Sequence, residues 1–231
     1  MAYYGNLQKV RNGVRTFGIT PHIPGGFITP DKLIKIGEVA KKYKGVLKLT
    51  SGQRILITNL KEEDLPYIWA ELGMEPAVKN IYSVKNVEIC PSAFCKRSKS
   101  NIMGIGMKIS KKYHGAAMPN RTKIGIAGCR NACGGVYSKD FGIIADVTGF
   151  RVTVGGSSGF HPRVADIIGI DLPQDEAYSL FEKAITYYQL SANFGEKASD
   201  FILRIGLDKF KEGTTKQDSD DFDYNKKFSL T

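Results

Sequence analysis

The sequence predicts a soluble α+β protein, and three observations lead to that prediction. Its 231 residues are 42% hydrophobic and 24% charged, which excludes fibrous, collagenous and wholly disordered chains. Strand-like and helix-like segments alternate through the first 75 residues, the pattern of an α+β unit. The chain has no apolar run near the roughly 18 residues that a membrane span needs. Because no secretion signal precedes the first strand, we expect a cytoplasmic location.

The first half, residues 1–79, is expected to contain strands and two helices. An extended, β-branched stretch at 10–22 ends at a Pro-Gly-Gly turn. Thr29 is the expected N-cap of a helix that starts at Pro30, ends among lysines and places apolar residues on one face: Leu33, Ile36 and Ala40. Two short strands are expected within 46–60. An acidic first turn predicts a helix over 62–72, which Gly73 ends.

The second half, residues 80–212, is expected to alternate strands with tight, cysteine-bearing segments. The apolar patterns predict strands at 81–89, 123–126, 142–147 and 151–154, and helices over 96–113 and from about 164 to 211. Residues 213–231 include many Asp and Lys and few apolar side chains, so a mobile charged tail is expected there.

Charge is distributed unevenly along the chain. Residues 1–125 carry 21 basic and 8 acidic side chains, whereas residues 126–231 carry 12 basic and 15 acidic ones. The first part is therefore expected to present a positive surface. Nucleic acid, an anionic cofactor, an anionic substrate and an acidic protein donor would each favour such a surface, and composition does not choose among them.

The four cysteines form two pairs, Cys90 with Cys95 and Cys129 with Cys133. Without a secretion signal, such cysteines are expected to bind metal or do chemistry rather than form disulfides. Their spacing permits a zinc site, structural thiols or one [4Fe–4S] cluster. The apolar, glycine-rich sequence before Cys129 favours the cluster, which needs close backbone approach and shielding from water.

Six motifs occur in the order found in the siroheme and iron–sulfur nitrite and sulfite reductase family, and the chain resembles the small, single-repeat members. The motifs are Thr20-Pro-His-Ile-Pro-Gly-Gly-Phe27, Leu49-Thr-Ser-Gly-Gln-Arg-Ile55, Cys90-Pro to Cys95, Gly128-Cys-Arg-Asn-Ala-Cys133, Lys139-Asp-Phe-Gly-Ile-Ile144 and Gly155-Gly to Pro162-Arg163. The resemblance covers about residues 13–211. It implies a ferredoxin-like α/β half packed on a siroheme- and [4Fe–4S]-binding α/β half, as in sulfite reductases.

The resemblance also implies roles for individual residues. The cluster ligands would be Cys90, Cys95, Cys129 and Cys133, and the thiolate of Cys133 would also bridge to siroheme iron. The basic substrate cluster would be Lys85, Arg121 and Lys123. A further family arginine appears here as Gly52, and Arg54, two residues on and so on the same face of a strand, would either replace it or bind a siroheme carboxylate. Further cofactor contacts would come from Gln53, Arg54, Arg130, Asn131, Gly156, Ser157 and Arg163. Each of these cations has an alternative interpretation as a solvated surface charge, and Gln53 has one as a core residue.

Two features of the cysteine motifs depart from the family pattern. The first pair has four intervening residues, where the family usually has five, and this could change how the cluster sits. Arg130 follows Cys129, where the family often has proline, and would bring a positive charge near the cluster or a siroheme carboxylate.

We therefore expect a siroheme enzyme that reduces sulfite to sulfide. The chain has no spare cysteines for a second cluster and no fingerprint for NAD(P) or flavin, so the electrons would come from an acidic external donor such as ferredoxin. A single-repeat chain is expected to form a homodimer. The alternatives are nitrite reduction with the same cofactors, a non-catalytic electron-transfer or siroheme-carrier protein, and a nucleic-acid-binding metalloprotein.

Overall fold

The computed structural model describes residues 4–217. The described chain divides after residue 79 into two compact units, each with its own sheet. No helix within the described residues is both long and apolar enough to cross a membrane.

The first unit is a four-stranded antiparallel sheet with two helices. Its elements are β1 (Asn6–Arg11), β2 (Val14–Ile19), α1 (Pro30–Lys42), β3 (Val46–Leu49), β4 (Ile55–Leu60) and α2 (Leu65–Leu72), and the strand order is β1-β2-β4-β3. The single extended stretch expected at 10–22 is wrong. Asn12 and Gly13 have φ of 49° and 77° and turn the chain between β1 and β2, because this pair readily adopts the positive φ of a tight hairpin turn.

Helix α1 begins and ends as predicted. The hydroxyl of Thr29 accepts a hydrogen bond from the backbone N–H of Lys32, and Lys41 and Lys42 lie in the last turn. Ile36 and Ala40 are buried in the core of this unit, whereas Leu33, expected on the same face, is 46% exposed. The apolar face of the helix is narrower than its sequence suggests.

The segment expected as one helix over 62–72 contains a short 3₁₀ turn, Glu62–Asp64, followed by α2. Gly73 ends α2 with φ of 57°, as predicted. The buried residues Leu65 and Ile68 join the core of the first unit.

The second unit is a five-stranded mixed sheet followed by helices. Its elements are β5 (Val84–Ile89), α3 (Met103–Tyr113), β6 (Thr122–Ala127), β7 (Phe141–Ala145), β8 (Phe150–Val154), β9 (Asp166–Leu172), α4 (Gln174–Ser191), α5 (Ala198–Ile205) and α6 (Leu207–Thr215). The order is β5-β6-β7-β8-β9, with β5, β6 and β7 parallel and the later pairs antiparallel. Every residue of β7 is buried.

Three predicted elements of this unit need correction. The helix expected from residue 96 begins at Met103, because the residues before it bond to a neighbouring loop, as Lys99 does to Gly128. The region expected to be helical from 164 contains β9, which pairs with β8. The tail was expected to begin at residue 213, but α6 continues to Thr215 and Thr214 is fully buried. Residues 218–231 of that tail lie outside the described residues.

Candidate functional site

The cysteines lie on two loops at one edge of the second sheet. Cys90 directly follows β5, and Cys129 follows β6 after one glycine. Because these strands are adjacent and parallel, their carboxyl ends meet at the same edge. Cys95 follows a short turn, and Cys133 is exposed on the second loop, while the other three are partly buried. No disulfide joins any of the four.

Gly128 joins the two cysteine loops. Its backbone N–H donates to the sulfur of Cys90 over 3.1 Å, and its carbonyl accepts from the N–H of Lys99 at 2.6 Å. A Cβ at this position would lie 2.9 Å from the hydroxyl oxygen of Ser92 and closer still to that of Ser98. The approach of the two loops therefore depends on a residue without a side chain.

The donor set fits a [4Fe–4S] cluster. Among the described residues, no three Cys, His or carboxylate side chains converge closely enough to hold a single metal ion. A cubane cluster takes one thiolate at each of four irons, and four thiols from two loops supply that number. The N–H that Gly128 already donates to Cys90 is the kind of contact that stabilises a thiolate and tunes a cluster.

A basic cavity of about 400 Å³ opens in the same unit, with room for on the order of ten water molecules. Within residues 4–217, three cations line it: Arg121, Lys123 and Lys197. The remaining lining residues are Ser138, Asp140 and the 156–160 segment, which includes the predicted Gly156 and Ser157. Such a wall suits oxyanions and carboxylates, since an anion removed from water needs cationic and hydrogen-bonding partners.

Asp140 connects two sides of this basic cavity. Its carboxylate accepts a 2.8 Å hydrogen bond from the backbone N–H of Lys123 at the start of β6. Its carbonyl accepts a 2.7 Å hydrogen bond from the N–H of Gly155. Burial raises the pKa of the Asp140 carboxyl to about 6, although the Lys123 N–H and the charges of Lys123 and Lys197 act in the opposite direction.

The glycine-rich loop after β8 is held close to the backbone before β7. A Cβ at Gly156 would lie 2.5 Å from the carbonyl oxygen of Tyr137 and 2.6 Å from that of Lys139. Ser157 and Arg163 exchange two backbone hydrogen bonds of 2.9 Å, which makes the loop a narrow hairpin. Phe160, at its tip, is fully exposed.

The guanidinium of Arg163, predicted to contact the cofactor, is engaged within the protein. It donates a 2.7 Å hydrogen bond to the carbonyl of Gly155 and forms an ion pair with Asp166. It is not one of the residues that line the basic cavity within the described chain. In this structure Arg163 fastens the hairpin that lines the cavity.

Lys85 lies in β5 beside the start of β6. Val84 pairs with Thr122 and Asn86 pairs with Lys123, so Lys85 is the extra residue of a bulge. It is partly buried and, within the described chain, does not line the basic cavity. Of the four predicted catalytic cations, the structure brings Arg121 and Lys123 together in the lining of the basic cavity.

A second cationic depression, of about 600 Å³, lies beside Cys129. We call it the cysteine-loop groove; it is lined by Lys96, Arg97, Lys99, Cys129, Arg130, Asn131, Asp146 and Val147. Arg130 is exposed and lies 3.5 Å from Asp146, which Arg151 also binds at 2.8 Å. Arg130 and Asn131 therefore border the cysteine loop rather than the basic cavity.

Gln53 and Arg54 belong to the first unit, in the turn before β4. The N–H of Thr50 donates to the carbonyl of Arg54 at 2.9 Å, and Gln53 has φ of 56°. A Cβ at Gly26 would lie 2.8 Å from that of Gln53, so the Pro-Gly-Gly turn packs against this residue. Their predicted roles toward a cofactor stay predictions.

The sequence reasoning gave no role to several residues that shape the site. Asp140 and Lys197 line the basic cavity. Lys139, the neighbour of Asp140 in the chain, forms a buried ion pair with Glu88. The signal available in the sequence was two charged residues in a row, Lys139 and Asp140, directly before the apolar strand β7. Charged side chains at the end of a buried strand need partners.

Two family models match the sequence. Residues 8–75 match the nitrite/sulfite reductase ferredoxin-like half domain. Residues 83–221 match the nitrite and sulphite reductase 4Fe-4S domain, which includes both cysteine pairs.

Two relatives illustrate how the match is distributed. An assimilatory-type sulfite reductase of Nitratidesulfovibrio vulgaris is 33% identical over 199 residues, which are 85% of this chain and 91% of the relative. The NAD(P)H nitrite reductase of Emericella nidulans is 35% identical over 216 residues, which are 91% of this chain and 19% of the relative. The chain thus spans about a fifth of the fungal protein.

Solved structures share the fold at low identity. The NirA protein of Mycobacterium tuberculosis has a TM-score of 0.74 at 18% identity, covering 88% of this chain and 40% of that one. Dissimilatory sulfite reductase I has a TM-score of 0.74 at 13% identity, covering 88% and 70% of the two chains. The predicted fold class is confirmed.

Proposed function

The chain belongs to the nitrite and sulphite reductase family, and we propose that it reduces sulfite to sulfide with siroheme and a [4Fe–4S] cluster. The observation that carries this proposal is the basic cavity, where Arg121, Lys123 and Lys197 face one space. The relative of similar length, an assimilatory-type sulfite reductase, supports sulfite as the substrate.

The chain offers distinct residues for each cofactor. Cys90, Cys95, Cys129 and Cys133 would hold the cluster, with Cys133 as the bridge to siroheme. The Gly156 and Ser157 hairpin, fastened by Arg163, would face siroheme carboxylates, and Arg130 and Asn131 would border the cluster. When bound, siroheme supplies an iron site for the oxyanion and the cluster supplies electrons.

The protein's own groups would bind the substrate and provide protons. Arg121 and Lys123 would attract the oxyanion and donate hydrogen bonds to its oxygens, which leave as water during reduction. Lys85, in the bulge beside Lys123, and Arg54 in the first unit are the other cations proposed for this work. Lys197 adds a charge that the sequence reasoning did not include.

We further propose that the cysteine-loop groove docks the electron donor. Lys96, Arg97 and Lys99 are exposed there beside Cys129. An acidic protein such as ferredoxin would be steered to such a surface, and the encounter would weaken as salt rises. A homodimer is also proposed, because the chain resembles the single-repeat members of the family.

Nitrite reduction is the second candidate. It is favoured by the fungal relative, a nitrite reductase of which this chain matches one part. Nitrite is also a small oxyanion, so the same cations would bind it. The family membership makes the chain an oxidoreductase, which leaves the nucleic-acid-binding alternative without support.

Turnover of both substrates tests the proposal. Anaerobically purified holoprotein would be assayed with sulfite and with nitrite, using a chemical reductant. We expect the higher kcat/KM with sulfite; a large preference for nitrite would select the second candidate. Lys123→Ala should keep the siroheme and cluster spectra but lower kcat/KM at least tenfold, whereas Lys211→Ala, on the exposed face of α6, should not change it.

A further inference from the structure

Asp140 is the acidic side chain of a cavity whose other charged lining residues, among those described, are cations. The cations would favour its ionised form, but burial outweighs them and raises its pKa to about 6. An ionised carboxylate at this position would repel an entering oxyanion. The charge state of Asp140 and the occupation of the cavity must therefore influence each other.

The titratable groups that face Asp140 are three cations and one phenol. Arg121 and Lys123 approach from the start of β6, and Lys197 precedes α5. Tyr188 of α4 also faces it, and burial raises the pKa of that phenol further above its ordinary value. Arg, Lys and Tyr ordinarily titrate well above pH 8.

We propose that Asp140 takes up one proton when an oxyanion enters the basic cavity, so that substrate binding is linked to proton binding. This inference rests on the proposed function, because it takes the cavity as the oxyanion site. The step is balanced: the anion brings negative charge in, a proton from solvent joins the Asp140 carboxylate, and no electron moves. Asp140 acts through the electrostatics of the cavity and through the Lys123 backbone that it holds.

Such a linkage serves the reaction that we propose. Reduction of sulfite or nitrite consumes protons together with electrons. A carboxyl that binds its proton as the substrate enters keeps one beside the site where water must leave. By reciprocity, a proton that binds with the anion must also raise the affinity for the anion.

The linkage is measured by anion binding to the oxidised holoprotein. Nitrite is the probe because, unlike sulfite, it stays a monoanion across the neutral range. Its dissociation constant is followed by calorimetry and visible absorption from pH 5.5 to 8, and proton uptake by an indicator dye in weak buffer. In the wild-type protein, affinity should fall by up to about tenfold per pH unit above 6, with proton uptake at pH 7 approaching one per anion.

Three variants separate the role of Asp140 from a structural one. Asp140→Asn keeps an acceptor for the Lys123 N–H but cannot ionise, so its affinity should vary less than twofold over this range, with no extra proton taken up. Asp140→Glu should restore a pH dependence. Asp175→Asn, at an exposed position in the first turn of α4, should behave as wild type.

The possible outcomes separate failure of the proton linkage from failure of the proposed function. Wild-type pH dependence and proton uptake in Asp140→Asn would refute the linkage and leave the proposed function intact. Failure of the wild-type holoprotein to bind either nitrite or sulfite would refute the proposed function instead. A thermal melt of each variant shows that binding is measured on folded protein.

Discussion

Lys139 donates a 2.7 Å hydrogen bond to Glu88 inside the second unit, where their side chains are only 11% and 6% exposed. Glu88 belongs to β5 and pairs with Gly125 of β6. A Cβ at Gly125 would lie 3.0 Å from the side chain of Lys139, so the lysine crosses β6 over a glycine. The pair therefore ties the backbone beside Asp140 to β5, the strand that ends at Cys90.

Breaking this buried pair should destabilise the protein strongly. Glu88→Gln leaves the Lys139 ammonium buried without its countercharge, which should cost about 3–5 kcal/mol of unfolding free energy. Combining it with Lys139→Met should cost less than the sum of the two single changes, as a double-mutant cycle would reveal. Glu63→Gln, in the exposed pair with Lys61, is the control and should change stability by less than about 1 kcal/mol.

Gly128→Ala should disturb the cluster rather than the fold. The added Cβ would collide with the hydroxyls of Ser92 and Ser98 and separate the loops that carry the two cysteine pairs. We expect lower iron and acid-labile sulfide content per chain. Gly104→Ala, in the first turn of α3 with nothing within 4 Å, should retain full cluster content; equal content in both variants would contradict the role of Gly128.

Gly156→Ala should open the basic cavity. The methyl group would meet the backbone of Tyr137 and Lys139, so the hairpin must move away from Asp140. Oxyanion affinity should fall at least tenfold. Gly159→Ala lies in the same hairpin with open space around it and should bind as wild type. A loss of the same size in both variants would mean that the flexibility of the loop, and not its close approach, matters.

The sequence predicted most of the elements because their signals are local. Thr29 caps the start of α1 and Gly73 caps the end of α2, and such capping depends only on neighbouring residues. The errors come from tertiary contacts. Ser98 and Lys99 bond to the carbonyl of Gly128 where a helical turn was expected, and β9 is a strand that pairs with β8.

The site shows the same division between local and tertiary information. The cysteines lie within the motifs, and Arg121 and Lys123 lie shortly before the second cysteine motif, so the resemblance to a family identifies them. Asp140 and Lys197 are separated by 57 positions in the chain and line one cavity only in the folded protein. Their shared cavity is visible only when β6, the glycine loop and the segment before α5 are folded.

Cys133→Ser should remove the proposed bridge between the cofactors. Cys133 is the exposed member of the set, so the substitution disturbs no buried packing and should leave the fold intact. Visible and electron paramagnetic resonance spectra should show that the siroheme and cluster signals are lost or uncoupled. Normal spectra with normal turnover would assign the bridge to another residue.

Asp140→Asn should stabilise the protein at neutral pH. Because burial raises the pKa of Asp140 from 3.8 to about 6, the folded state binds a proton between these values that the unfolded state has released. Wild-type stability therefore decreases as pH rises from 4 to 6, and above 6 the folded protein contains a buried charge. Asparagine has no such charge, so the variant should gain up to about 3 kcal/mol at pH 7 and nothing near pH 4.

Thermal midpoints of the anaerobic holoprotein at pH 5, 6, 7 and 8 measure this gain. The difference between Asp140→Asn and wild type should widen up to about pH 7 and then level off, while Asp175→Asn should follow wild type throughout. A variant that melts below wild type at pH 7 would show that ionised Asp140 stabilises the fold through Lys123 and Lys197. In that case the cations, and not burial, would determine the charge of the cavity.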